Sequence, residues 1–122
     1  MKKVVAFIAV IAFFSAANIV TAQDVQTVKL EQTEGEFNLK GITLSAGTYQ
    51  FEVMNNGVDH EVGFVVAPKG MSDQKNHIKA AYLSETIKSG KSAKSGEVKL
   101  APGEYVYFCP MNPTPEYVIT VK

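Results

Sequence analysis

The sequence predicts an all-β protein, an antiparallel β-sandwich or barrel broken by one short helical insertion. Three observations carry that expectation. Apolar residues recur at every second position rather than every third or fourth. Clusters of turn-forming residues separate about seven short runs of this kind within about 100 residues. One stretch, between Met71 and Lys88, lacks the two-residue period.

Val28 and Leu30 alternate with polar neighbours in an opening strand, and Phe37 with Leu39 marks a second, short one. Tyr49, Phe51 and Val53 alternate with Thr48, Gln50 and Glu52, a half-buried strand entered from the turn Ser45-Ala46-Gly47. Asn55-Asn56-Gly57 supplies residues that tolerate the positive φ of tight turns. In the next predicted strand His60, Val62, Phe64 and Val66 share one parity, which directs His60 inward near the strand's start. Within the aperiodic stretch Ser72 is placed to cap a helix with Asp73 in its first turn. Ile78, Tyr82 and Ile87 follow it at loosely helical spacing. Lys88 to Gly96 reads as a polar, mobile connection. Val98 and Leu100 precede the turn Ala101-Pro102-Gly103, and Tyr105-Val106-Tyr107-Phe108-Cys109 is the strand after it. Tyr117, Ile119 and Val121 alternate in the last strand.

Lys2 and Lys3 precede an apolar run from Val4 to Ala17, shorter than the roughly 18–20 residues that span a bilayer. Val20 and Ala22 then occupy the −3 and −1 positions before Gln23. This is the layout of a secretory signal peptide cleaved after Ala22. The expected organisation is a signal at residues 1–22 and one mature domain at 23–122. That domain is expected to be periplasmic or secreted, with no membrane span after cleavage. Without the two leader lysines, ten lysines and no arginine face 12 acidic side chains, a formal charge of −2. A chain of that charge with no basic run is a poor nucleic-acid binder. It carries no paired carboxylates, phosphate-cradling glycine loop or zinc-protease motif, so no enzymatic activity is expected. A Cys–His nucleophile pair would still need an orienting third group and an oxyanion site.

Cys109 is the only cysteine. An exported thiol with no partner in its own chain is a metal ligand, a reactive group, a cross-chain bridge or a small buried hydrophobe. A strand beginning at His60 and a strand ending at Cys109 can meet at one pole of a sandwich. Imidazole nitrogen and thiolate sulfur together suit a borderline-soft metal, copper or zinc. The alternative for His60 is a core histidine satisfied by hydrogen bonds. Met111 either supplies a thioether or packs its loop, and Asn112 reads as a maker of local turn hydrogen bonds. His77 reads as a solvated surface residue, and Glu116 as a charge at a sheet edge. Tyr105 and Tyr107 share the cysteine's parity and read as core or pole-lining aromatics.

Asn55, Gly57 and His60 fit the N-x-G-x-x-H pattern that leads into the first histidine ligand of the cupredoxins, the blue-copper proteins. The run Leu100-Ala101-Pro102-Gly103-Glu104-Tyr105-Val106-Tyr107-Phe108-Cys109 is similar to the turn and strand that deliver their cysteine ligand. The resemblance covers the chain from about Leu44 to Lys122, with Met71 to Lys94 as a family-variable insertion. It implies a Greek-key β-sandwich of cupredoxin type, copper as cofactor with zinc as the alternative, and His60 and Cys109 as ligands. Met111 would be a third donor. The ligand set departs from the family pattern at several positions. The second histidine, three residues after the cysteine, is replaced by Asn112, and the axial methionine by Pro115. A longer ligand loop would put Tyr117 at the methionine position, and the residue after the first histidine is Glu61. The implied function is an exported copper-binding monomer, an electron carrier or copper holder at a modified site, with a redox or copper-exchange protein as partner. The alternative is a metal-free cupredoxin-like binding or scaffold domain.

Overall fold

Residues 24–122 are described by a computed structural model, and the expected signal segment, residues 1–22, lies outside the described residues. The strands are β1 (Val25–Thr33), β2 (Glu36–Phe37), β3 (Ile42–Leu44), β4 (Gly47–Asn55), β5 (Val65–Pro68), β6 (Ser92–Leu100), β7 (Gly103–Phe108) and β8 (Tyr117–Val121). They form two four-stranded sheets, ordered β2-β1-β4-β6 and β3-β8-β7-β5. The all-β sandwich expected from the alternation is the fold observed. Two of its pairings run parallel, β1 with β4 and β3 with β8, and the others are antiparallel. The β1–β4 pair is parallel because the chain crosses to the other sheet at β3 before returning. No helix among the described residues is long and apolar enough to cross a membrane.

The alternation in β4 is read out as burial. Tyr49, Phe51, Val53 and Asn55 are buried and the residues between them are half-buried. Val66, Tyr107, Ile119 and Val121 close the core from the second sheet. Phe37 lies at the heart of it, edge-on to Tyr107 at 5.2 Å and to Phe64 and Tyr117 at 6.0 Å. The buried Tyr107 hydroxyl donates to the Leu39 carbonyl at 2.6 Å and accepts from the Gly41 N–H at 3.1 Å. Burial pushes the Tyr107 phenol above its ordinary ionisation range.

Two segments differ from their expected form. The helical insertion consists of two single 3₁₀ turns, Gln74–Asn76 and Lys79–Ala81, and Ser72 caps neither. A continuous helix is blocked because the Ile78 N–H donates to the Val66 carbonyl at 2.8 Å, which holds Ile78 extended. Of the connection expected to be mobile, Lys88 to Gly96, the part from Ser92 onward forms the first half of β6. Its inward positions are Ala93 and Ser95, too small to announce a strand by hydrophobicity. The Ser95 hydroxyl accepts from the Phe51 N–H at 2.9 Å, where the β4–β6 register shifts between Gln50 and Glu52.

Candidate metal centre

Cys109 follows directly on β7, and its side chain is 1% exposed. The sulfur accepts two backbone N–H bonds, from Gly63 at 3.3 Å and from Asn112 at 3.2 Å. Its own N–H donates to Thr114 Oγ1 at 3.0 Å, which curls the proline-rich loop back on the strand end. Met111, exposed on that loop, lays its sulfur over Gly63, where a Cβ would stand 3.3 Å from Sδ. Thiol and thioether therefore converge on one glycine.

Asn112 faces away from solvent. Its Nδ2 donates to Gln32 Oε1 at 3.1 Å and to the Thr33 carbonyl at 2.9 Å, and its Oδ1 accepts from the Gly35 N–H at 2.8 Å. These partners are 77 to 80 residues away in sequence, not the local turn partners expected. The environment fixes the amide's orientation, since two oxygens face the nitrogen and a backbone donor faces the oxygen. Gln32, also fully buried, donates from Nε2 to the Gly63 carbonyl at 2.6 Å. Cys109, Gly63, Gln32 and Asn112 thus close a ring of hydrogen bonds across the end of the sandwich.

His60 does not point inward as its parity predicted. It is exposed and precedes β5, which begins only at Val65. The cause is Asn55, whose buried side chain organises the intervening loop. Its Nδ2 donates to the carbonyls of His60 at 2.9 Å and Ile87 at 3.0 Å, and its Oδ1 accepts from the Val58 N–H at 2.8 Å. Val58 fills the inward position and the His60 ring stays outside. His60 Nδ1 lies 2.9 Å from the Glu61 carbonyl oxygen. A carbonyl only accepts, so in the neutral ring Nε2 is the nitrogen with the free lone pair.

Among the described residues no three His, Cys, Asp or Glu side chains are grouped to hold a metal ion. A trigonal blue-copper centre needs two imidazoles beside the thiolate. At the second imidazole's position Asn112 has both amide hydrogens committed, and Pro115 offers no side-chain donor. The residues do not fit that centre. They do keep two soft sulfur donors, which suit Cu(I).

His77 is likewise not the solvated residue expected. It is half-buried, with Nε2 3.0 Å from the Ser72 carbonyl oxygen and Nδ1 2.8 Å from the Tyr82 hydroxyl. In the neutral ring Nε2 therefore carries the hydrogen and Nδ1 accepts from Tyr82. The ring packs edge-on against Tyr82 and Phe108, both at 5.9 Å. His77 and Tyr82 line a groove of about 590 Å³ that reaches Gly63 and Pro110 beside the pole. Their five-residue spacing matches neither helix nor strand period, so no sequence signal pairs them.

The sequence profile of the family described as Cupredoxin-like domain matches residues 4–121. In structure the chain is similar to auracyanin A, a "blue" copper protein of Chloroflexus aurantiacus. Identity is 16% over 81% of this chain and 100% of that one, with a TM-score of 0.66. It is similar to the auracyanin of Roseiflexus castenholzii, at 18% identity over 80% of this chain and 97% of that one, TM-score 0.61. An azurin of Methylomonas sp. strain J matches at 13% identity over 80% of this chain and 98% of that one, TM-score 0.55. Likeness at such identities establishes the fold. No curated protein matches the chain in sequence.

Proposed function

The chain belongs to the cupredoxin-like domain family, and from that premise we propose that it is an exported, non-enzymatic holder of Cu(I). Cys109 and Met111 would supply the sulfur donors, with the Nε2 lone pair of His60 as the imidazole of the same 60–63 segment. The observation that carries the reading is the meeting of both sulfurs at Gly63, one through its N–H and one over its Cα. Thiolate and thioether together favour Cu(I) over Cu(II). Such a holder works in the periplasm or outside the cell and exchanges its ion with a protein partner. The electron-carrier reading requires a shell that serves both oxidation states, and the carboxamide at position 112 argues against it.

A second reading, a metal-free binding domain, is supported by the hydrogen-bonded ring that satisfies the pole without an ion. One titration separates the readings. Signal-free protein is given chelator-buffered Cu(I), and separately Cu(II) and Zn(II), beside Cys109→Ser, Met111→Leu and His60→Ala. The expected result is one Cu(I) per chain, abolished in Cys109→Ser and weakened about tenfold or more in Met111→Leu. An intense visible sulfur-to-Cu(II) band in the wild type would assign it to electron transfer instead. No stoichiometric binding of any of the three ions would leave the metal-free reading.

A further inference from the structure

We propose that the groove beside the pole binds a small neutral amide with an apolar body, which pairs with the main-chain N–H and C=O of Phe64 as one residue of an added strand would. The inference goes beyond the copper-holder reading and stands whether or not the pole takes an ion.

The outer edge of β5 decides which main-chain groups are committed. The Lys69 N–H donates to the Glu104 carbonyl at 3.1 Å, continuing the β5–β7 register. Successive strand residues aim their peptide groups to opposite sides, so Val65 and Ala67 face β7 as well, while Phe64, Val66 and Pro68 face away. The insertion takes up this outward row at two points. Val62 exchanges bonds with Ile87, at 3.1 and 2.9 Å, and the Val66 carbonyl accepts from the Ile78 N–H at 2.8 Å. Between those points the insertion leaves β5 and pairs with β6, through a Leu83–Ser95 bridge and the Ser84 N–H on the Lys94 carbonyl at 2.9 Å. The N–H and C=O of Phe64 therefore have no hydrogen-bond partner among the described residues.

Those two groups open on the groove of about 590 Å³, a size within the range of small-molecule sites. Phe64 lines it while its ring lies in the core against Phe37 and Phe51, so its main chain is what faces the groove. Phe64 is 3% exposed, and a buried peptide group with neither bond made is costly. A ligand carrying one donor and one acceptor at the spacing of a strand residue removes that cost. The walls fix the rest of its chemistry. Val65, Leu83, Tyr82 and Pro110 take an apolar body, and Glu85, with no lysine in the lining, disfavours an anion. The free edge ends at Val62 and Val66, about 13 Å apart in an extended chain. A peptide running on past either end would meet Ile87 or Ile78. The occupant is accordingly a single blocked residue or a molecule of that size.

The test titrates the exported protein, with a metal chelator present, against N-acetyl-L-phenylalaninamide and follows the backbone amides by NMR. Saturable shifts should centre on Phe64 and Leu83, with a dissociation constant on the order of 1 mM for a ligand of this size. In the depsi analogue the N–H of the phenylalanine unit is replaced by oxygen. It should bind about tenfold more weakly, because it sets an oxygen against the Phe64 carbonyl. Tyr82→Ala, which removes an exposed wall of the groove, should weaken the amide severalfold with circular dichroism unchanged. Shifts that fail to saturate by about 20 mM, or that map outside the groove, overturn the proposal. A depsi analogue within about twofold of the amide overturns it as well. A blocked pentapeptide with a central phenylalanine that binds about tenfold more tightly overturns the single-residue slot.

Discussion

The Gly63 N–H donates to the Cys109 sulfur across 3.3 Å, so a residue with no side chain of its own organises the candidate centre. The space over its Cα is taken by the Met111 sulfur. Gly63→Ala would put a Cβ 3.3 Å from that sulfur, the far end of a flexible and exposed side chain. The thioether can retreat by a few tenths of an ångström while the N–H bond persists. Stability should change by less than about 1 kcal/mol in urea denaturation. Cu(I) affinity, measured by chelator competition, should fall severalfold because the thioether has been displaced.

Asn55→Ala tests the residue that keeps His60 outside. It strips partners from the carbonyls of His60 and Ile87 and from the Val58 N–H, at a side chain that is fully buried. Leaving the buried Val58 N–H unmet and removing one donor from each carbonyl, of which Ile87 keeps the Val62 N–H, should cost about 1–3 kcal/mol in urea denaturation.

Phe37 belongs to a strand of two residues, and its ring contacts Phe64, Tyr107 and Tyr117. Two residues of ladder cannot hold a strand in place, so the ring is the anchor. Phe37→Ala should lose about 3–5 kcal/mol through lost transfer energy and the cavity left behind. Phe37→Leu should lose appreciably less. Thermal melts of the two variants rank them.

Tyr107→Phe removes the donor to Leu39 and the acceptor for Gly41. At neutral pH the loss should be about 1–2 kcal/mol. The wild type also carries an alkaline liability here. Burial raises the folded phenol's pKa, while the unfolded phenol ionises near pH 10. The unfolded state thus releases its proton first, and the stability contribution, complete below about pH 10, is lost as pH rises from there through the folded value. Chemical denaturation from pH 8 to 11 should show a steeper decline above about pH 10 in wild type than in Tyr107→Phe.

Much of the fold was legible in the sequence because each signal was local. The alternation Tyr49, Phe51, Val53 reports which side of a strand is dry, and burial follows it. Val98 with Leu100, and Ile119 with Val121, obey the same period and are buried. The two-residue period gives no signal where the inward residues are small, as at Ala93 and Ser95, or where a segment is only three residues long, as in β3. It also misplaced His60, since parity assumes continuous strand and Asn55 holds that stretch as a loop. His77 was misread because its partners, Tyr82 and the Ser72 carbonyl, are chosen by the path of the insertion.

Strand periodicity, the lone thiol at a strand end and the departures at Asn112 and Pro115 were determined by the order of residues alone. What Asn112 does instead was decided only by tertiary structure. Its partners Gln32 and Thr33 on the opposing sheet, and Gly35 in the turn after them, lie far off toward the other end of the chain. Hydrophobic periodicity is a property of neighbours along the chain, whereas the mate of a buried polar group is set by which strands pack across from it. A sequence can therefore announce that a histidine is absent, and only the packed sandwich can show what has taken its place.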